Sequence, residues 1–153
     1  MAGVTTRMAR DNEAEALTEL ALRSKASWGY SPEFMAACRE DLTFSPERMA
    51  AWRIWVAEAE GAVAGVIALR MEGGQAELEV FFVDPPFQGR GVGAALIAVF
   101  LQACRERGIA TVGVDADPNA EPIYARFGFR TVGRSPSSAI AGRTLPRMAL
   151  TLD

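Results

Sequence analysis

The stretch FFVDPPFQGRGVGAALIAVFLQACRERG, residues 81–108, decides how the rest of the chain is read. An apolar run ending at Val83 breaks at Asp84-Pro85-Pro86. Gly89, Gly91 and Gly93 then alternate, and a long apolar segment follows that closes on Arg105, Arg107 and Gly108. The pattern is a strand, a glycine loop and a helix predicted over about 91–107. Alternating glycines let successive backbone N–H groups turn into one concavity. The helix behind adds its own free N–H groups and the positive end of its dipole. Such a loop is a cradle for phosphate; the other reading is a tight turn in which glycine only permits close packing. The segment from Gly89 to Ala94 formally fits the dinucleotide pattern G-x-G-x-x-[GA], but that pattern follows its strand directly, and here DPPFQ intervenes. A nucleotide-triphosphate loop is excluded, because no Gly-Lys-Ser or Gly-Lys-Thr occurs.

Around this unit the chain alternates short elements. A first strand is expected at Val4 to Met8, then a helix through EAEALTELALRSK capped by Asp11 or Asn12. The segment ASWGYSPEF reads as a turn, and Pro32 after Ser31 starts a second helix to about Leu42. Strands at Trp52 to Glu58 and Ala62 to Met71 flank a Glu60-Gly61 turn; the Gly73-Gly74 turn leads to a third, Ala76 to Val83, giving an antiparallel meander. Beyond the glycine loop and its helix come a strand at Ala110 to Asp115, a short helix at about Asn119 to Phe127, and strands at Phe129 to Gly133 and about Arg147 to Leu152. A polar loop over 134–146 separates the last two. Strand, helix and following strand around the loop are long enough for a right-handed parallel crossover.

The 153 residues suit one domain, 1–153, with a core that needs no staples. Half the residues are hydrophobic and 23% charged, with the apolar runs kept short, so a soluble protein without membrane association is expected. The first residues lack the apolar core of a signal peptide, which points to the cytoplasm. A net charge of −3 argues against nucleic acid as a partner. Cys38 and Cys104 lie in helical patterns and read as buried thiols. No histidine occurs. That excludes a histidine-activated serine or cysteine nucleophile and histidine zinc sites, and leaves proton transfer to carboxylates, Tyr, Lys, Cys or water. No metal is expected.

With these residues in view, the run VDPPFQGRGVGAAL resembles the acyl-CoA-binding motif of the GNAT superfamily of N-acetyltransferases, through Gln88, Gly91 and Gly93. VTTRMARDNEAEAL is similar to that family's opening strand and helix, and DADPNAEPIYARFGF to its later Asn, Tyr and Gly-Phe segment. The resemblance implies an α/β fold with a mixed, mostly antiparallel central sheet flanked by helices. It implies acetyl-CoA as cosubstrate, with the pyrophosphate on the amides of Gln88, Gly89, Arg90, Gly91, Val92, Gly93 and Ala94. The pantetheine arm would lie along Phe81, Phe82 and Val83, with Asn119 as a further contact unless it is merely a helix cap. The reaction implied is direct acetyl transfer to a primary amine of a small molecule or peptide, in which a backbone N–H polarises the thioester carbonyl. The alternative is an acyl-CoA-binding regulatory domain without turnover. An alkylammonium of pKa about 10 must lose a proton before attack, and Glu79 is the candidate base or relay unless it is half of an ion pair. Glu77, two residues earlier, is the lesser candidate. Tyr124 matches the tyrosine that protonates the departing thiolate, with packing as the other reading. Trp28, Tyr30, Phe34 and Arg143 are candidates for the acceptor site, the aromatics as a wall or cation-binding face and Arg143 for an anionic group. Their alternatives are core packing and an exposed loop charge. The resemblance also allows a homodimer.

Overall fold

The computed structural model describes residues 3–153; Met1 and Ala2, which the single-domain expectation includes, lie outside the described residues. Seven strands form one sheet in the order β1-β2-β3-β4-β5-β7-β6. The meander is β2 (Arg53–Ala59), β3 (Ala62–Glu72) and β4 (Gln75–Val83), with β1 (Thr5–Met8) antiparallel on its outer edge. Glu60 and Gly61 both take left-handed φ, 54° and 76°, and join β2 to β3 as a two-residue turn closed by the Ala59–Ala62 pair. That twist matches the right-handed twist of the flanking strands.

After β4 the chain makes the expected crossover through α4 (Val92–Glu106) to β5 (Thr111–Asp115), which lies parallel to β4. Gly108, at φ 68°, ends α4, and the N–H of Ile109 donates back to the Cys104 carbonyl at 3.0 Å. The sheet finishes with an antiparallel hairpin, β6 (Arg130–Pro136) and β7 (Thr144–Thr151), β7 lying next to β5. The connection is shorter than the sequence suggests: Arg134 to Pro136 and Thr144 to Pro146 pair with each other, leaving residues 137–143 as the loop.

Helices cover both faces. On one side α4 packs Leu96, Phe100 and Cys104 against Trp55, Ile67, Leu69 and Leu78. It comes so close that a Cβ on Gly65 of β3 would lie 2.8 Å from Val92 Cγ1. On the other side α1 (Ala14–Ala26) packs Leu17 and Leu20 against Ile54, Val56, Val66 and Val80. Each fully buried aliphatic or aromatic side chain here contributes roughly 1.5–3 kcal/mol over an exposed one. Two further helices extend this second layer, α2 (Pro32–Leu42) and α3 (Pro46–Ala51). Both begin with Ser then Pro, and in both the serine hydroxyl accepts the N–H three residues on, Phe34 onto Ser31 and Arg48 onto Ser45. The sequence reading had no helix at Pro46–Ala51, although Ser45-Pro46 repeats the signal used at Ser31-Pro32.

A break in β4 positions the site. Leu69 pairs with Leu78 but Ala68 pairs with Val80, so Glu79 is an extra residue in the ladder. The bulge reverses the alternation. Ala76 and Leu78 face α4, whereas past Glu79 it is Phe81 and Val83 that do so, with Val80 and Phe82 turned to the α1 side. β4 and β5 pair only from Gln75 to Glu77, on Thr111 to Gly113, so beyond the bulge the two strands part.

Candidate active site

The parting strands open a cavity of about 790 Å³ that runs from the glycine loop, past the free edge of β4, to the C-terminal ends of α1 and α2. At the loop end, Gly91 is the N-cap of α4 in left-handed conformation, φ 81°, and Gly89 has φ 79°; a Cβ on either would meet nothing. Among the described residues, the N–H groups of Gly89 through Ala94 meet no protein acceptor, the first helical bond being Ala95 N–H to Gly91 O at 3.1 Å. Six unpartnered donors around an open concavity at a helix N-terminus suit an anion. Gln88, Gly89, Gly91, Val92, Gly93 and Ala94 all line the cavity. Arg90 does not: its guanidinium pairs with Glu60 and lies 5.5 Å over the Phe87 ring, leaving only its backbone for the loop. The turn before the loop is pinned by Asp84, buried, whose carboxylate takes two bonds from Arg23 of α1 at 3.1 and 2.9 Å.

In the middle of the cavity stand Phe81, Phe82 and Val83, together with Glu79 and Tyr124. Tyr124 lies on α5 (Glu121–Arg126), its ring held by Phe81 at 5.8 Å and edge-on to Phe129 at 5.4 Å. Its hydroxyl has no hydrogen-bond partner among the described residues. Burial, and secondarily the negative field of Asp117, push its pKa far above the ordinary phenol value, so it stays protonated. Packing residue and proton donor are therefore compatible descriptions of one side chain. Glu79, placed in the cavity wall by the bulge, accepts from Arg70 Nε at 2.6 Å, so the candidate base is itself half of an ion pair. Glu77 is engaged more fully, with both carboxylate oxygens on Arg147, which also holds Asp115.

At the end where the sequence reading expects the acceptor, Trp28, 43% exposed, lines the cavity; Tyr30 and Phe34 do not. Their rings stack on each other at 4.1 Å, and Arg143 lies 4.8 Å over Phe34. The Tyr30 hydroxyl is a hub. It donates to Asp117, 2.8 Å from Oδ2, and accepts from Asn119 Nδ2 and Arg143 Nη2, both at 2.9 Å. Lys25 Nζ completes the cluster on Asp117 at 2.9 Å. Asn119 thus ties the segment before α5 to the α1–α2 turn instead of lining the cavity. Arg143 borders a side cavity of about 70 Å³, whose wall includes Lys25, Asp41 and Ser138, residues that also line the main one. Asp117 is held below the usual carboxylate range; burial opposes this, and the bonds from Lys25, the Asn119 N–H and Tyr30 outweigh it. Sequence reading missed Lys25, Asp41, Arg48, Trp52, Asp117 and Ser138 in this region. The Ser45-Pro46 helix start was the one signal that would have brought Arg48 and Trp52 into view.

A mixed sheet parted between β4 and β5, with a glycine-loop helix N-terminus at the mouth of the gap, is the architecture that the resemblance to the acetyltransferases implies. Residues 33–152 match the model of the acetyltransferase (GNAT) domain, and the chain belongs to that family. It is 33% identical over 113 residues to the uncharacterized N-acetyltransferase YafP of Escherichia coli, an alignment covering 73% of this chain and 69% of YafP. Over 76 residues, 48% of this chain, it is 40% identical to the mycothiol acetyltransferase of Clavibacter michiganensis, of which the match spans only a quarter. Among solved structures, the PaiA N-acetyltransferase of Thermoplasma acidophilum, in complex with coenzyme A, superposes with a TM-score of 0.80 at 17% identity, covering 98% of this chain and 99% of that one. A GCN5-related N-acetyltransferase from Rhodopseudomonas palustris gives 0.77 at 24%, covering 99% and 98%. At such identities the superpositions speak for the fold alone. No helix among the described residues is long and apolar enough to cross a membrane.

Proposed function

We propose that the chain is a single catalytic domain that transfers an acetyl group from acetyl-CoA directly to a primary amine. The observation that carries this is the unpaired edge of β4 beyond Glu79, leading from the open N–H groups of residues 89–94 to the unpartnered hydroxyl of Tyr124. The residues fit coenzyme A in kind: donors for a pyrophosphate, a free strand edge for an amide-bearing arm, and an apolar wall of Phe81 and Val83. Acetyl-CoA supplies the activated acyl group as a thioester. The loop amides hold its phosphates, and the β4 edge aligns its arm and polarises the carbonyl. Glu79, directly or through water, takes the proton that the ammonium must lose. As the nitrogen–carbon bond forms and the carbon–sulfur bond breaks, Tyr124 gives its proton to the sulfur, and the second proton that the nitrogen sheds on becoming an amide returns through water to the Tyr124 oxygen. The cytoplasm is the compartment that suits acetyl-CoA.

The test is thiol release from acetyl-CoA with a panel of amines, the products weighed by mass spectrometry. The expected result is acetylated amine in step with free thiol. Tight acetyl-CoA binding with no acetylated product from any amine would replace this reading with an acyl-CoA-binding regulatory domain.

A further inference from the structure

The charges lining the cavity sort themselves by pairing. Lys25 is matched by Asp117 at 2.9 Å, Glu79 by Arg70 at 2.6 Å, and Asp115 by Arg147 at 3.2 Å. Arg126 stands on α5 next to Phe127, which packs on Phe81 near the loop end. At the acceptor end this leaves one carboxylate and one guanidinium, Asp41 and Arg48, neither in an ion pair among the described residues. They are close neighbours that nevertheless do not neutralise each other. Arg48 Nη1 caps the end of α2, donating to the carbonyls of Glu40, Asp41 and Thr43 at 3.1, 3.0 and 2.8 Å, and its guanidinium carbon lies 5.2 Å from the centroid of the Trp52 ring. Its Nε and Nη2 have no acceptor among the described residues. The Asp41 carboxylate accepts from the Ser138 hydroxyl. The nearby Lys25 and Arg143 across the side cavity are held by Asp117 and by the Tyr30 oxygen. Trp28, Leu42, Trp52 and Leu145 supply apolar wall around the two charges.

We infer that Asp41 and Arg48 form the acceptor's recognition pair, and that the acceptor is a dipolar amine, an amino acid with an apolar side chain, whose ammonium is met by Asp41 on entry, before its proton passes to Glu79 directly or through water, and whose carboxylate is held by Arg48. A diamine would set its second cation against Arg48, and a neutral amine would leave Arg48 without a counter-charge. Side chains held rigidly by a helix cap and an aromatic ring lose little freedom on binding, and charge-assisted bonds to a carboxylate are the strong ones.

The inference rests on the acetyl transfer proposed above, and its test separates the two. Wild-type protein with acetyl-CoA is assayed on leucine and phenylalanine, on their carboxamides, and on isoamylamine and phenethylamine, with spermidine as a diamine. The expected kcat/KM is about tenfold or more higher for each amino acid than for its carboxamide, the order of a lost charged hydrogen bond. This would run against the carboxamides' intrinsic advantage of a less basic, more readily freed amine. Arg48→Met should remove that preference by lowering the amino-acid rates about tenfold more than the carboxamide rates, with Arg48→Lys restoring part of it. Asp41→Asn should lower all acceptors, and acetyl-CoA affinity by calorimetry should be unchanged in every variant. Equal rates for acids and carboxamides, a preference for spermidine, or Arg48→Met lowering both classes alike would overturn the inference and leave acetyl transfer standing. If no amine is acetylated, the functional reading fails instead. Calorimetric titration of phenylalanine and phenylalaninamide into the CoA-saturated protein then decides: tighter binding of the acid, lost in Arg48→Met, sustains the pair, and equal or absent binding rejects it.

Discussion

The two ends of one cavity are built in opposite ways. The loop end is backbone: six consecutive N–H groups from residues 89–94, shaped by glycines and the start of α4, with side chains doing little besides the Asp84–Arg23 tie behind them. The other end is side chains brought from six separate places, Lys25 on α1, Tyr30 in the turn, Asp41 on α2, Arg48 on α3, Asp117 after β5 and Arg143 before β7. A backbone site tolerates most side chains but no change in chain path. A side-chain site is the reverse. The largest expected effect follows: Gly91→Glu puts a Cβ at φ 81° and a negative charge at the proposed phosphate cradle, and should weaken acetyl-CoA binding by more than about 100-fold in calorimetry. The circular dichroism spectrum should remain that of the native fold. Unchanged affinity in a folded variant would mean the loop end is not the cradle.

This contrast also explains what could be read from the sequence. Gly89, Gly91 and Gly93 sit within five residues of one another, so the loop end is written contiguously, and the meander and crossover follow from alternation, turn residues and lengths. The cluster around Tyr30 has no such signature, because its partners lie up to 113 positions away. Tyr30 and Phe34 were legible as acceptor-site candidates through a resemblance, and Arg143 as a charge able to hold an anionic group; none of the three lines the main cavity, whereas Asp41, at the end of the predicted second helix, and Arg48, on the helix α3 that the sequence reading lacked, both do. The bulge at Glu79 was also invisible, since the apolar pattern of β4 continues through it.

Between the two ends, Tyr124→Phe should divide chemistry from binding. The ring keeps its contacts with Phe81 and Phe129, so acetyl-CoA affinity and melting temperature should hold. Loss of general acid catalysis should lower kcat by about 100-fold, the low end of its usual worth because a thiolate is already a fair leaving group. With the phenol's pKa raised by burial, the wild-type rate should not fall between pH 8 and 10 from loss of this proton; a fall there that Tyr124→Phe abolishes would show the hydroxyl ionising and overturn the assignment. Glu79→Gln should cost about tenfold at pH 7 and recover at pH 9, where more of the amine is already free. Rates equal to wild type from pH 6 to 9 would leave Glu79 as Arg70's partner only.

A smaller effect is expected from Tyr30→Phe, which keeps the stack on Phe34 and deletes one hydroxyl shared by Asp117, Asn119 and Arg143. About 1–2 kcal/mol of stability should be lost. The acceptor's KM should rise several-fold while acetyl-CoA affinity is kept, because nothing at the loop end touches this group. A parallel loss of acetyl-CoA binding would show that the two ends are not independent.

The smallest effect is one of acid. The loop end has no titrating group in its cradle, whereas the acceptor end is centred on Asp117, which must be ionised to hold Lys25 and Tyr30. Its folded pKa lies below the unfolded one, so the stabilisation it contributes is complete above the ordinary aspartate range near pH 4 and is lost as pH falls through the depressed value. Protonation removes the charge that Lys25 answers and leaves the hydroxyl of Tyr30 with a weaker acceptor. Hydrogen exchange followed from pH 5 to pH 3, corrected for the intrinsic pH dependence of exchange, should therefore show the α1–α2 turn, residues 27–31, and the loop 137–143 losing protection before α4 does. In Asp117→Asn, which cannot ionise, the two segments should already exchange faster at pH 5 and change little further on acidification. If α4 and these segments lose protection together in the wild type, the acceptor end has no separate acid sensitivity, and the contrast between a backbone-built and a side-chain-built half would not extend to their stability.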